Sequence, residues 1–222
     1  MTAPMSKRLS KGYGTLPVLK QESTVGSVAG VVLAAGSSRR MGRNKLLLDL
    51  GGESVIRRAV RAAVDGGLDP VVVVLGHEAE RVRAELSGLF FRPVLNPDHA
   101  RGVGTSLQVG VAAVPTSTAA IVVILPDMPF VTASMIGAVV ERYRATGLPV
   151  VVSRYGDTEA PPTLFDRSLF TELLSIAGER CARVVARRHE HQAAVVAWPA
   201  EALRDLDVAG DYQDVRALLA KG

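Results

Sequence analysis

The stretch Val31-Val32-Leu33-Ala34-Ala35-Gly36-Ser37-Ser38-Arg39-Arg40-Met41-Gly42-Arg43-Asn44-Lys45 joins a short apolar run to a cationic loop bounded by glycines. The apolar run predicts a strand buried on both faces, and the glycines permit conformations in which backbone N–H groups face an anion. Arg39 offers a planar fork of donors for phosphate oxygens, and Lys45 adds a mobile positive charge. The stretch predicts a strand followed by a phosphate-binding loop, with a solvated basic loop as the alternative.

The spacing of the loop excludes two common phosphate-binding motifs. A Walker A loop has four residues between its glycines and a lysine directly after the second one. Here five residues separate Gly36 from Gly42, and Arg43 follows. The Gly-x-Gly-x-x-Gly fingerprint of dinucleotide-binding proteins is absent as well.

The rest of the chain alternates apolar runs with amphipathic segments. Strands are predicted at 28–34, 70–75, 91–95, 119–125, 150–152 and 193–197. Helices are predicted near 55–64, 78–86, 105–114, 132–144, 166–176, 179–189 and 211–219. This alternation predicts a three-layer α/β/α, Rossmann-like fold with a mostly parallel central sheet.

Three chemistry-bearing segments each follow a predicted strand. They are the cationic loop, the polar stretch from Asn96 to Ser106, and Asp127. Because ligands bind outside the carboxyl ends of the strands in such sheets, we expect the three segments to converge on one crevice.

Asp127 stands between Pro126 and Pro129, directly after the most hydrophobic predicted strand. A carboxylate there, facing a cationic loop, suits Mg²⁺ bound together with phosphate oxygens. Asp207, which precedes the last predicted helix, is the candidate second carboxylate. A turn-forming role for Asp127 and a helix-capping role for Asp207 are the alternatives when each residue is taken alone.

Composition limits the classes of partner. The chain has 222 residues and a formal net charge of +4. Residues 1–25 are predicted to form a disordered basic tail, and residues 26–222 a single domain. The tail has four basic residues and one acidic residue, Glu22, so it carries a net charge of +3 and the domain carries +1. Since only 5% of residues are aromatic as well, no nucleic-acid partner is expected.

Other features indicate a soluble cytoplasmic protein without a membrane partner. The start of the chain lacks a basic segment followed by an apolar one, and no apolar run approaches the ~20 residues of a membrane span. A single cysteine, Cys181, allows neither an intrachain disulfide nor a Cys-based zinc site. The four histidines are expected on the surface or in loops: His77, His99, His189 and His191.

Four segments together resemble the MobA-like nucleotidyltransferases of molybdenum-cofactor synthesis. They are Leu33–Gly42 with Lys45, Gly102–Leu107, Leu125–Pro129 and Asp205–Tyr212. The loop sequence is most similar to that of the molybdopterin cytidylyltransferases, since guanylyl-transferring relatives tend to have Ala-Gly-Gly in place of Ala-Ala-Gly. The resemblance runs from about residue 28 to residue 212 and implies a Rossmann-like nucleotidyltransferase fold of the glycosyltransferase-A type.

The resemblance implies that a nucleoside triphosphate, CTP by the loop sequence, is held by Leu33, Ala34, Ala35, Gly36, Ser37, Arg39, Lys45, Asn96, Gly104 and Ser106. Arg39 and Lys45 would be the catalytic cations, and Asp127 with Asp207 would bind Mg²⁺. A phosphorylated acceptor, molybdopterin by the resemblance, would attack the α-phosphorus and release pyrophosphate. A molybdenum enzyme that receives the product would be a possible partner.

The chain departs from the family pattern in two segments that resemble acceptor-side motifs. Ala160–Phe165 lacks the usual Gly-(His or Asn)-Pro element, and Gly178–Arg183 has Cys181 where relatives have a glycine. A left-handed backbone angle at Cys181 would be unfavourable. A sugar phosphate or another phosphorylated metabolite as the acceptor therefore stays open. So does a catalytically silent nucleotide-binding protein that assists a molybdenum hydroxylase.

Overall fold

The computed structural model describes residues 26–38, 41–176, 178, 181–206 and 209–219. The predicted basic tail at 1–25 therefore lies outside the described residues. The strands are β1 (Val28–Ala34), β2 (Val71–Leu75), β3 (Arg92–Leu95), β4 (Ala120–Ile124), β5 (Val150–Tyr155), β6 (Thr158–Asp166) and β7 (Ala193–Trp198). The α-helices are α1 (Val55–Asp65), α2 (Ala79–Glu85), α3 (Val103–Ala113), α4 (Ala133–Thr146), α5 (Phe170–Ser175), α6 (Cys181–Arg188) and α7 (Ala209–Leu219).

The described strands form one sheet in the order β3-β2-β1-β4-β6-β5-β7. All neighbouring pairs are parallel except those of β6, which runs antiparallel to both β4 and β5. β1, β2 and β4 consist almost wholly of apolar residues and are buried on both faces, as central parallel strands require. The predicted Rossmann-like fold with a mostly parallel sheet is confirmed.

Two hydrophobic clusters cover the two faces of the sheet. Alternate residues of β1 point to opposite sides. Val32 belongs to the cluster that includes residues of α1, α2, α4 and α7, whereas Val31 belongs to the cluster that includes residues of α3, α5 and α6. The three layers thus follow from the period-2 alternation of strands that are apolar at every position. Among the helices described, none is both long enough and apolar enough to cross a membrane.

No strand is predicted over 158–166, and the two adjacent prolines of β6, Pro161 and Pro162, are residues that central strands rarely contain. The structure accommodates both prolines through a register shift. Val151 pairs with Leu164 but Ser153 pairs with Ala160, so the prolines lie between ladder positions of β5. The Ser153 hydroxyl donates to the Pro162 carbonyl and the Tyr155 hydroxyl to the Pro161 carbonyl, both at 2.8 Å.

Two helical glycines provide a matched pair for testing how tightly the layers pack. A Cβ on Gly110 in α3 would collide with Val31 Cγ1 and lie 3.0 Å from Val74 Cγ2, whereas a Cβ on Gly137 in α4 would meet no atom within 4 Å.

We expect Gly110→Ala to lower the free energy of unfolding by about 1–3 kcal/mol, because overpacking against β1 and β2 outweighs the better helix propensity of alanine. Gly137→Ala should raise it by up to about 1 kcal/mol. Urea unfolding of both variants checks this, and stabilisation by both would contradict the close α3–sheet contact.

The Asp166 carboxylate at the end of β6 provides a second test of stability. Burial alone would raise its pKa, but hydrogen bonds from the Tyr143 hydroxyl (2.6 Å) and from the Ser168 backbone N–H and hydroxyl (2.8 and 2.7 Å) outweigh burial and lower the pKa. Since the pKa is lower in the folded state, this stabilisation is present above the unfolded pKa and is lost as the pH falls through the folded value.

Tyr143→Phe should therefore raise the Asp166 pKa and lower the free energy of unfolding near neutral pH by about 1 kcal/mol. The difference from the parent chain should shrink as the pH falls through the folded pKa of Asp166, because the carboxyl then becomes protonated in both proteins. Urea midpoints at neutral and acid pH measure it, and an equal loss at both would mean that only packing was removed.

Candidate active site

The segments that follow β1, β3 and β4 meet at the carboxyl edge of the sheet, where they enclose a cleft of about 410 Å³. The lining residues are Leu33, Ala35, Gly36, Ser37, Ser38, Met41, Lys45, Leu46, His99, Ala100, Gly102, Val103, Ser106, Leu125, Pro126 and Asp127. The expected convergence of the three segments on one crevice is thus observed.

Local hydrogen bonds shape the loop after β1. Ser38 has a φ of +48°, and its hydroxyl accepts from the Lys45 backbone N–H at 3.1 Å. The Asn44 side-chain carbonyl accepts from Leu46 N–H and so caps the 3₁₀ turn Lys45–Leu47. These contacts fold the loop back on itself and place Lys45 at the wall of the cleft.

Lys45 and Asp127 meet across the cleft, with Nζ 2.6 Å from Oδ2. The two side chains are only 16% and 22% exposed, so the opposite charges interact more strongly than a surface pair would. In addition, Leu206 N–H donates to the Asp127 carbonyl at 3.0 Å, which ties the segment before α7 to the end of β4. Asp207, the predicted second carboxylate, lies outside the described residues.

Asn96 lies behind the cleft rather than in it. It is only 1% exposed, and its Nδ2 donates to the hydroxyls of Thr105 and Ser106, both at 2.9 Å. Its Oδ1 accepts from Asp98 N–H at 3.0 Å. The two hydrogen bonds from Nδ2 orient the start of α3, so Asn96 positions Ser106, which does line the cleft, and the bond from Asp98 N–H ties the preceding loop to the same side chain.

The other residues expected to bind nucleotide also fall into two groups, those that line the cleft and those that are buried away from it. Those that line the cleft are Leu33, Ala35, Gly36, Ser37, Lys45 and Ser106. Ala34 is buried in the sheet, and Gly104 is buried where a Cβ would lie 2.5 Å from the Gly178 carbonyl oxygen. Arg39 lies outside the described residues.

His99 lines the cleft, although the sequence indicated only an ordinary loop or surface residue. Gly76, directly after β2, allows this position, because a Cβ there would lie 2.7 Å from Cβ atoms of both Ala35 and His99. A glycine that ends a fully apolar strand is the sequence signal that could have indicated such a close approach.

A second cavity, of about 380 Å³, adjoins the cleft and shares Leu33, Val103 and Leu125 with it. Most of its lining is apolar, and the polar or titratable side chains around it are Glu159, Thr163, Cys181, Arg183 and Asp205. The two segments that depart from the family pattern both contribute to its wall. We call it the acceptor cavity.

Cys181 fits the acceptor cavity without backbone strain. Among the described residues, only Ser38 and Glu78 are non-glycine residues with a positive φ, so Cys181 avoids the left-handed conformation. Gly178, three residues earlier, adopts it instead, with a φ of +108°. Burial raises the pKa of the Cys181 thiol, which disfavours the reactive thiolate.

The residues of the cleft fit a hard divalent cation shared with phosphate oxygens. Asp127 supplies a partly exposed carboxylate, and Mg²⁺ takes one or two carboxylates together with phosphates and waters. No group of three or more His, Cys, Asp or Glu side chains that could hold a metal occurs within the described parts of the chain.

The chain is similar to known proteins over most of its length. Residues 30–209 match the model of the MobA-like NTP transferase domain. The chain is 32% identical over 170 residues to nicotine blue oxidoreductase of Paenarthrobacter nicotinovorans, covering 72% of this chain and 82% of that protein. It is 29% identical over 187 residues to a probable molybdenum cofactor guanylyltransferase of Opitutus terrae, covering 78% and 90%.

Among solved structures, Rv0371c from Mycobacterium tuberculosis H37Rv superposes with a TM-score of 0.77 at 28% identity, over 87% of this chain and all of that one. A structure of Rv0371c in complex with manganese superposes with a TM-score of 0.73 at 28% identity, over 86% of this chain and 98% of that chain.

Removal of the buried amide should show how much Asn96 contributes to the site. We expect Asn96→Ala to lower the free energy of unfolding by about 1–3 kcal/mol, because Asp98 N–H and two hydroxyls lose a buried partner. Ser106→Ala leaves the Asn96–Thr105 hydrogen bond in place and should cost less. Chemical denaturation of both variants measures the difference, and equal losses would contradict the positioning role of Asn96.

Proposed function

Because the chain belongs to the MobA-like NTP transferase family, a family of nucleotidyltransferases, we propose that it transfers CMP from CTP to the phosphate of molybdopterin with Mg²⁺ and releases pyrophosphate. The observation that carries the proposal is the Lys45–Asp127 ion pair, set in the cleft beside a second, largely apolar cavity. A cytoplasmic location is part of the proposal, since nucleoside triphosphates are cytoplasmic metabolites.

The ion pair keeps the site electrically balanced without ligands, since neither charge is left unpaired in a partly buried position. When nucleotide binds, Lys45 would exchange the carboxylate for phosphate oxygens. Asp127, with Asp207, would then be available to hold the cation. Each group thus exchanges one partner of opposite charge for another, which limits the electrostatic cost of loading the site.

The chain's own residues contribute by positioning and electrostatics. A phosphate oxygen of the acceptor attacks the α-phosphorus, the bond to the β-phosphate breaks, and pyrophosphate leaves with the electron pair. Lys45 and Arg39 would neutralise the charge that develops on the transferred group and the leaving group. A bound divalent cation supplies further neutralisation of the phosphate oxygens. A phosphate dianion is already nucleophilic, so no side-chain nucleophile is needed.

Ala35 supports CTP as the donor. It lines the cleft where guanylyl-transferring relatives tend to have a glycine, so a methyl group reduces the space for the nucleoside. Ser106, held by Asn96, would contact the nucleoside from the opposite wall.

The composition of the acceptor cavity supports a flat heterocycle over a sugar. A polyhydroxylated sugar needs a partner for each hydroxyl group, whereas this lining is mainly aliphatic, with Leu107, Val123 and Val152 on its walls. Arg183 offers a cation for the acceptor phosphate, and Glu159 and Asp205 offer acceptors for ring N–H groups. A molybdenum enzyme that receives the product is the proposed partner.

Pyrophosphate release tests the proposal. The enzyme is supplied with each of the four ribonucleoside triphosphates and Mg²⁺, against molybdopterin and a panel of sugar and alcohol phosphates. We expect turnover with CTP and molybdopterin, and Asp127→Asn should lower kcat by about 100-fold or more, because the carboxylate that would hold the divalent cation is lost. Asp157→Asn, in the exposed β5–β6 turn, is the matched control and should leave kcat unchanged.

Other outcomes would redirect the assignment. Turnover that survives Asp127→Asn would contradict the metal role of this residue. Turnover with a sugar phosphate and not with molybdopterin would show that the acceptor is a sugar phosphate. Tight CTP binding without turnover on any acceptor would indicate the accessory protein instead.

A further inference from the structure

A third cavity, of about 740 Å³, lies on the reverse side of the loop that follows β1. It is lined by Ser37, Ser38, Gly42, Arg43, Asn44, Leu47, Leu48, His77, Glu78 and Arg81. We call it the rear cavity, and we propose that it binds a phosphate-type anion through Asn44, Arg43 and Arg81. Nothing in the proposed transfer reaction uses this cavity, although it shares Ser37 and Ser38 with the active-site cleft.

Asn44 supplies the main indication of a ligand. Its side chain is 94% buried, and its carbonyl oxygen is already occupied by Leu46 N–H. The Nδ2 amide is buried at the cavity wall near the Glu78 carboxylate, but it has no acceptor that meets hydrogen-bonding distance and geometry among the described residues. A buried donor that lacks a partner is costly, and an anion oxygen in the rear cavity would satisfy it.

The charges around the cavity favour an anion as the occupant. The described lining contains two arginines, Arg43 and Arg81, and one carboxylate, Glu78, which gives it a formal charge of +1 with His77 neutral. The Arg43 guanidinium lies over the Tyr212 ring, 5.7 Å from its centroid, and forms no ion pair with Glu78. Glu78 already forms an ion pair with Arg81, and His77 Nε2 lies 3.7 Å from its other oxygen. Hydrogen bonding to Arg81, with a smaller contribution from the nearby Asn44 amide, lowers the Glu78 pKa. Arg81 and the Asn44 amide thus already face one negatively charged group, and a phosphate-type anion would offer them the same kind of contact.

The backbone around the cavity is strained in a way that is typical of ligand sites. Ser38 and Glu78 have φ values of +48° and +51°, and they are the two non-glycine residues with a positive φ among those described. Both line the rear cavity, one from the phosphate loop and one from the turn before α2. Such conformations are costly for residues with a side chain and cluster at binding sites and switches.

Occupation of the rear cavity would be coupled to the active site. Ser38 contacts both cavities, and its hydroxyl accepts from the Lys45 backbone N–H. An anion that stabilises this loop conformation would change nucleotide affinity, and nucleotide would change anion affinity by the same factor. The anion has two possible sources: a separate phosphate or pyrophosphate, or the terminal phosphate of the nucleotide bound in the cleft.

Calorimetric titration of the full chain with inorganic pyrophosphate tests the site. We expect two classes of site, one in the cleft that Lys45→Gln weakens and one in the rear cavity that Arg81→Gln weakens about tenfold, the effect of one charge-assisted hydrogen bond. Asn44→Asp keeps the oxygen that caps Lys45–Leu47 but replaces the donor, and it should also weaken the rear site. Arg83→Gln is the matched control, because Arg83 is an exposed arginine of α2 that does not line the rear cavity.

A single class of site that Lys45→Gln removes and Arg81→Gln leaves unchanged would overturn the proposal. Equal weakening by Arg83→Gln would overturn it too, since general surface charge would then explain binding. Repeating the titration with saturating CMP and with a non-hydrolysable CTP analogue identifies the source. If the CTP analogue abolishes pyrophosphate binding at the rear site and CMP does not, the natural occupant is the terminal phosphate of the nucleotide. If binding at the rear site persists with both nucleotides, the occupant is a separate anion. If neither nucleotide binds, the proposed donor fails, while the titration of the free chain still decides the rear site.

Discussion

The parallel pairing of β1 with β2 on one side and β4 on the other is the constraint on which the site depends. β1 pairs from Gly30 with Val71 and from Val28 with Ala120, so all three strands end at the same edge of the sheet. Each strand is apolar at nearly every position, which buries it on both faces and leaves only the connecting loops to carry polar chemistry. Lys45 and Asp127, 82 residues apart in sequence, meet because their strands are neighbours.

Carboxylates of the chain itself neutralise basic side chains at both of the polar cavities. Cations concentrated on one loop would repel each other and destabilise the ligand-free fold. The structure limits this repulsion with internal carboxylates, since Asp127 pairs with Lys45 in the cleft and Glu78 pairs with Arg81 behind the loop. In both places a carboxylate occupies the position next to a cation that a phosphate group would take. The Lys45–Asp127 pair thus marks the position of the nucleotide phosphates in the proposed function, and the Arg81–Glu78 pair marks the anion site that we propose for the rear cavity.

Most of the fold could be predicted from the sequence because central parallel strands have a strong signal. The strands at 28–34, 70–75 and 119–125 are runs of aliphatic residues followed by glycine or proline, and the structure has strands in all three places. The local sequence pattern does not predict β6, because its pairing depends on contacts with residues of a neighbouring strand. Its prolines are tolerated only through the register shift and the hydroxyl groups of Ser153 and Tyr155 on the neighbouring strand.

The sequence by itself determined the layered fold, the family and the cationic loop, because apolar periodicity and the loop signature are local properties of the chain. Only the tertiary structure decided which side chains reach the cleft. Asn96 was expected to contact nucleotide, yet its hydrogen bonds turn it toward α3, whereas His99 enters the cleft because Gly76 lets its loop approach Ala35. Asn44 is likewise a candidate anion-binding residue only because the fold buries its amide at a cavity wall. Side-chain direction and burial are set by neighbours distant in sequence, so residue type and spacing do not encode them.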